Sequence, residues 1–101
     1  MLITRWQAPR IPEKKQIISW FEMEGLAPEE TTIHPKDLFK DVRHPFDEVL
    51  MVAKGQLILD IAGNKLLLRE GDKIVIPSNT KHSKSVNGEE DCLYIRAQKA
   101  Y

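Results

Sequence analysis

Turn residues recur at short intervals along most of this chain, and their spacing restricts the fold that it can adopt. After Pro28, short runs rich in branched apolar side chains are divided by turn signals such as Lys54-Gly55, Gly71-Asp72 and Asn87-Gly88. These runs predict strands at residues 30–33, 38–41, 48–53, 56–61, 65–69, 73–76, 82–86 and 92–98. Roughly seven or eight strands without intervening helices favour an all-β sandwich or barrel over a βαβ fold.

One helix is predicted before the strands. Pro12 suits a first helical turn, Glu13 suits the positive end of the helix dipole, and Gly25 offers a stop. Ile17 and Phe21 recur at helical spacing between these signals. Because this apolar stripe is short, we expect the helix to pack against the outside of the barrel, with an amphipathic partner-binding helix as the alternative.

Length and composition fit a single domain. The chain has 101 residues, of which 42% are hydrophobic, enough for one modest core. We interpret residues 1–28 as an N-terminal extension that carries the helix and residues 29–101 as the barrel. A core of this size would gain from a second copy, so we expect a homodimer. No apolar run at the N-terminus suits a signal peptide or a membrane span, and a cytoplasmic location is the default expectation.

Charge and cysteine content exclude several classes of function. The chain carries 15 basic and 15 acidic residues, so it lacks the broad positive field that nucleic acid or an anionic membrane requires. The densest basic stretch, residues 81–84, lies near the acidic run 89–91, and we interpret it as solvated surface. Cys92 is the only cysteine, which excludes an internal disulfide and a multi-cysteine zinc site.

Three polar residues form a candidate site. His44 and Glu48 are four positions apart, and residues an even number apart on one strand face the same side. A carboxylate buried there needs a partner, and His82 follows a turn that could bring its strand across to the pair. Two imidazoles and one carboxylate can form a partial ligand shell for a divalent transition metal. The alternative is three satisfied core or surface residues without a ligand.

The same residues resemble the motifs of a known family, the cupins. Residues 44–55 place a histidine, a glutamate four positions on and a glycine seven positions further, as in the second half of the first cupin motif. Residues 71–82 place a glycine, a proline six positions on and a histidine five further, like the second motif. The resemblance covers residues 38–98, and this part of the chain is similar to a short single-domain cupin. It implies a double-stranded β-helix (jelly-roll-like) barrel, often paired with a second copy.

The resemblance also implies a ligand set. His44, Glu48 and His82 match three of the four positions at which cupins hold a metal, while the first histidine of the family pattern falls on Val42. The implied metal is Fe, Mn, Ni or Zn, and its identity is left open. The glycine that opens the first motif is replaced by Lys36. The site is therefore predicted as a partial one.

Two hypotheses for function follow. The first is a small-molecule-binding cupin barrel with a partial metal site at His44, Glu48 and His82, for which catalysis is left open. The alternative is a metal-dependent enzyme, such as a non-haem oxygenase or an isomerase, that acts on a small metabolite. Both predict a small-molecule ligand and neither predicts a nucleic-acid or membrane partner.

Overall fold

The computed structural model describes residues 2–99, which form two facing antiparallel β-sheets and one helix. The elements are β1 (Leu2–Thr4), α1 (Lys14–Met23), β2 (Glu29–Ile33), β3 (Leu38–Val42), β4 (Asp47–Lys54), β5 (Leu57–Ile61), β6 (Asn64–Leu68), β7 (Lys73–Ile76), β8 (His82–Val86) and β9 (Cys92–Lys99). The predicted all-β class is confirmed, and each of the predicted strands agrees with the structure to within a residue at either end.

The two sheets enclose the main core. One sheet has five strands in the order β1-β7-β4-β9-β2, and the other has four in the order β3-β8-β5-β6. Their inward faces supply the buried apolar side chains Ile33, Leu50, Val52, Leu57, Leu59, Leu68, Ile74, Ile76, Cys92 and Tyr94. Alternation along each strand therefore sends every second residue into the space between the sheets.

Helix α1 covers the outer face of the five-stranded sheet, as predicted. Glu13 caps its N-terminus, and the Glu13 backbone N–H donates to the side-chain oxygen of Gln16 at 3.0 Å. Ile17 and Phe21 are buried against the outward side chains of β4 and β9. The helix has ten residues, and in the described part of the chain no helix is long and apolar enough to cross a membrane.

A short strand that was not predicted, β1, joins the edge of the five-stranded sheet beside β7. Asp72 anchors the chain just after it, accepting hydrogen bonds from the Trp6 backbone N–H at 2.9 Å and from Arg5 Nη1 at 2.8 Å. Burial alone would raise the pKa of Asp72, but these bonds and one from the Arg69 backbone N–H lower it. Three residues are too few to show strand periodicity, so this long-range pairing leaves no signal in the sequence.

Candidate functional site

The fold brings the three predicted site residues together at the interior of the barrel. Glu48 lies on β4 in the five-stranded sheet, and His82 begins β8 in the opposite sheet. Both are almost completely buried, at 1% and 2% exposure. Ligand atoms of His44, Glu48 and His82 all lie within 4.8 Å of one another. The three side chains thus form a candidate divalent-metal site, and the identity of a metal is not determined.

His44 reaches this site from a loop and not from a strand. It lies in the connection between β3 and β4, so the even-spacing argument for its direction does not apply. Its carbonyl accepts a hydrogen bond from the Asn79 backbone N–H at 2.6 Å, and its ring stacks on Phe46 with centroids 4.9 Å apart. Partial burial lowers the pKa of His44, which favours the neutral imidazole.

His82 presents one ring nitrogen to the site. Its Nδ1 donates to the Thr80 carbonyl at 2.8 Å, because a carbonyl oxygen can only accept. Its Nε2 is buried without a hydrogen-bond partner among the described residues and lies 3.7 Å from Glu48 Oε1. An orphaned buried nitrogen of this kind is the atom that a metal or a ligand group would engage.

Glu48 is already paired with two cations. Lys84 Nζ lies 2.9 Å from both carboxylate oxygens, and Arg96 Nε donates to Oε2 at 2.6 Å. Burial by itself would raise the pKa of Glu48, but the charges and hydrogen bonds of Lys84 and Arg96 lower it, so the carboxylate is ionised at neutral pH. For Lys84, burial outweighs the attraction of Glu48 and lowers the pKa. The ion pair connects the two sheets across the barrel interior.

Neither Lys84 nor Arg96 was predicted as a site residue. The interpretation of residues 81–84 as solvated surface is wrong for Lys84, which is 5% exposed, although Lys81 does lie at the surface. The signal was present, because Lys84 is two positions after His82 on a predicted strand and so shares its inward face. Arg96 likewise follows Tyr94 by two positions on β9. Only the charge of these residues argued against an interior position.

The donor atoms of His44, Glu48 and His82 differ in how well they suit a divalent ion. The free Nε2 of His82 fits one, but both oxygens of Glu48 already accept hydrogen bonds from cations. A metal ligated by Glu48 would lie about 2.0–2.2 Å from a carboxylate oxygen and therefore within a few ångströms of the Lys84 ammonium, where like charges repel strongly. Val42 supplies no donor at the fourth position. With Lys84 in this place, the residues do not fit a resident divalent ion.

A cavity of about 210 Å³ opens beside this cluster. It is lined by Thr31, Phe39, Val42, His44, Lys84, Tyr94 and Arg96. A larger groove of about 600 Å³ lies outside the barrel around Arg5 and Asp72, but these two residues are already paired with each other in an anchoring role. Of these two spaces, the smaller one contacts the polar cluster, through His44, Lys84 and Arg96.

The remaining histidine and the cysteine lie outside this cluster. His34 is exposed at the surface, with its Nδ1 2.9 Å from Asp91. Cys92 is fully buried in the core, and burial raises the pKa of its thiol to about 12. A thiol of that pKa stays protonated at neutral pH, which argues against a nucleophilic role.

A double-sheet β-barrel that encloses a polar cluster beside a cavity defines a class of ligand-binding barrel domains. Residues 29–96 match the family model described as the cupin domain. The chain therefore belongs to the cupin family, and the resemblance found in its motifs is confirmed. No curated protein shows significant similarity to this sequence.

Solved structures share the fold. A cupin-2 domain containing protein from Shewanella frigidimarina has a TM-score of 0.66 at 20% identity, with 96% of this chain and 83% of that chain covered. The EutQ protein of Clostridium difficile has a TM-score of 0.63 at 25% identity, covering 77% of this chain and 60% of that one. The DMSP lyase DddQ from Ruegeria pomeroyi has a TM-score of 0.67 at 17% identity, covering 74% and 38%. The chain thus spans little more than a third of the length of the lyase.

Proposed function

We propose that this cupin domain binds a small molecule in the cavity between its two sheets. The observation that carries the proposal is the ion-paired cluster of Glu48, Lys84 and Arg96, of which Lys84 and Arg96 line that cavity. Burying the charges of Glu48 and Lys84 is expensive, and apolar residues of similar volume would stabilise a core at least as well. A recognition role accounts for charges that core stability alone does not require. Similarity to a DMSP lyase supports small-molecule chemistry on this fold and leaves the reaction open.

A cavity-filling pair of variants tests this proposal. Val42 lines the cavity, while Leu38, on the same strand β3, is exposed. We expect a thermal-shift screen of small metabolites to give compounds that raise the Tm of the wild type and of Leu38→Phe but not of Val42→Phe. Compounds that stabilise all three proteins equally would place binding elsewhere and contradict the proposal.

A second candidate function is a metal-dependent enzyme, such as a non-haem oxygenase or an isomerase. It is favoured by the Nε2 of His82, which has no hydrogen-bond partner within residues 2–99. His44, Glu48 and His82 would hold the ion once Lys84 had moved away from Glu48. A bound metal would supply Lewis-acid polarisation of a substrate oxygen. His44 would remain a neutral donor at neutral pH, because burial lowers its pKa.

Metal content separates the two candidates. For a binding barrel without a resident metal, we expect elemental analysis of the purified protein to give far less than one ion per chain. EDTA would leave its Tm unchanged. Near-stoichiometric metal that is lost in His82→Ala and kept in His34→Ala would instead support the enzyme, since His34 lies outside the cluster.

Two finer expectations remain part of the proposal, namely that two copies pair and that the protein works in the cytoplasm. Light scattering on the purified protein tests the first, and a mass of twice 11.6 kDa is the expected result. A mass of one chain at micromolar concentration would contradict it.

A further inference from the structure

We infer that the ligand of this cavity is a small organic monocarboxylate, bound by the guanidinium of Arg96 and the ammonium of Lys84. The inference rests on the proposed function, because it names the chemical class of the molecule that the cavity would take. It follows from the charge of the cavity wall, the hydrogen-bond donors that remain there, the rigidity of those donors and the size of the space.

The side chains around the cavity carry a net positive charge. Glu48 neutralises only one of the two cations that it contacts, which leaves an excess of one positive charge at the wall of the cavity. Among the described residues, Glu29 is a second carboxylate near Arg96, but its Oε2 is 3.7 Å from Nη1 and its side chain is 67% exposed. Water screens an exposed pair of that length, so Glu29 offsets little of the excess. A monoanion would balance the charge, whereas a divalent cation would increase the imbalance.

Hydrogen-bond donors remain on both cations. Arg96 uses Nε for Glu48, and its Nη1 is too far from Glu29 for a hydrogen bond, which leaves the two terminal nitrogens of the guanidinium for a ligand. A guanidinium fork matches the two oxygens of a carboxylate. Lys84 directs one N–H to each oxygen of Glu48 and has three in all. One N–H is therefore left for the same ligand.

Both donors are held in place before a ligand arrives. Glu48 accepts hydrogen bonds from both and so holds their positions. The Lys84 ammonium also lies 5.2 Å from the centre of the Tyr94 ring. Arg96 is directly opposite Leu50 on β4, so it reaches Glu48 along the diagonal of the antiparallel pair. Binding then requires little further ordering of side chains, which favours affinity. Glu48 acts here as a positioning residue.

The cavity also limits the rest of the molecule. Its volume of about 210 Å³ lies below the roughly 300–1,000 Å³ of pockets for drug-sized ligands. Phe39, Val42 and Tyr94 give it apolar walls. A short aliphatic chain or a single aromatic ring satisfies both limits. Inorganic phosphate carries more charge at neutral pH and offers no apolar part to these walls.

The test compares carboxylates with neutral molecules of the same shape. Butyrate and benzoate are titrated into the full chain by calorimetry, beside butyramide, benzamide and inorganic phosphate, all at one ionic strength. We expect at least one carboxylate to bind at least tenfold more tightly than its amide. We expect Arg96→Met to lose at least tenfold of that affinity, and Arg69→Met, which removes an exposed arginine outside the cavity, to lose none.

Two further variants keep the positive charge of the cavity. They show whether a loss of affinity in Arg96→Met comes from the missing guanidinium or from misfolding. In Arg96→Lys the positive charge remains and the planar fork is lost, so we expect affinity to fall severalfold while circular dichroism is unchanged. Val42→Phe, which fills the cavity and keeps every charge, is also expected to abolish binding. Equal affinity of Arg96→Lys and the wild type would overturn the assignment of the carboxylate to the guanidinium.

The remaining outcomes distinguish this inference from the proposed function. Neutral compounds that bind as well as carboxylates, and whose binding is lost in Val42→Phe, would overturn the monocarboxylate and leave the binding barrel intact. Phosphate that binds as tightly as the carboxylates would overturn the ligand class. Absence of binding by every probe and every compound of the metabolite screen would overturn both.

Discussion

Glu48 accepts hydrogen bonds from side chains of two other strands while it is itself 1% exposed. Its burial is tolerated because each of its oxygens has a cationic donor, and the burial of Lys84 is tolerated for the same reason. This mutual dependence makes the three residues one energetic unit. Removing Glu48 would leave the buried Lys84 without its counter-ion in a low-dielectric interior.

The residues of this unit should respond unequally to substitution. Glu48→Gln removes the anionic partner that the buried Lys84 has among residues 2–99, and we expect a loss of roughly 3–5 kcal/mol in the free energy of unfolding. Lys84→Met leaves Glu48 paired with Arg96, so a smaller loss is expected. Urea denaturation measures both. The reverse order, or a loss below about 1 kcal/mol in Glu48→Gln, would contradict the paired-charge description.

The ionised carboxylate of Asp72 makes part of the free energy of unfolding dependent on pH in the acid range. Hydrogen bonds lower its pKa in the folded state, so its stabilising contribution is complete above the ordinary aspartate pKa of 3.8 and is lost as the pH falls through the lower folded value. We expect Asp72→Asn to be less stable than the wild type near pH 6, and this difference to shrink towards pH 3. Asp60→Asn, on β5, is the control. A difference that stays constant with pH would argue against this linkage.

At the scale of elements, the strands that can be predicted from the sequence are those bounded by turn residues. Gly55, between β4 and β5, has a φ of +81°, and a Cβ there would lie 2.6 Å from the Asp91 carbonyl oxygen. Gly63, between β5 and β6, has a φ of +83° but no neighbour within 4 Å of such a Cβ. Both glycines permit a left-handed conformation, and only the first also permits close packing of two backbone segments.

These two glycines form a matched pair for substitution. Gly63→Ala should cost about 1 kcal/mol for the left-handed conformation alone. Gly55→Ala carries a similar cost and a clash with backbone that cannot rotate away, so its loss should be larger by at least about 1 kcal/mol. Chemical denaturation of the two variants measures the difference. Equal losses would show that the contact with Asp91 relaxes without cost.

Local signals explain what could be predicted. The strands from β2 to β9 follow turn glycines, asparagines and prolines that act over a few residues, and α1 follows its own apolar stripe. The pairing of β1 with β7 and the meeting of Glu48 with Lys84 are contacts between distant segments, which no local pattern encodes. His44 approaches Glu48 from a loop, so the strand alternation from which the grouping was first argued does not explain their proximity, and motif spacing is the signal that remains.

At the scale of the whole molecule, the two sheets are joined by an apolar core and by one ionic cluster. The core supplies most of the cohesion, and the cluster lies where the sheets leave a cavity. Lys84 comes from the four-stranded sheet and Glu48 and Arg96 from the five-stranded sheet, so the cluster reports directly on how the sheets face each other. In this arrangement an ammonium group takes the position beside the glutamate that a metal would need.

Anomalous diffraction from crystals soaked in millimolar Mn²⁺ or Zn²⁺ tests that arrangement most directly. We predict Lys84 Nζ within hydrogen-bond distance of both oxygens of Glu48, and no anomalous peak between Glu48 and His82. A peak at about 2.0–2.2 Å from a Glu48 oxygen and from His82 Nε2, with Lys84 turned away, would contradict the account.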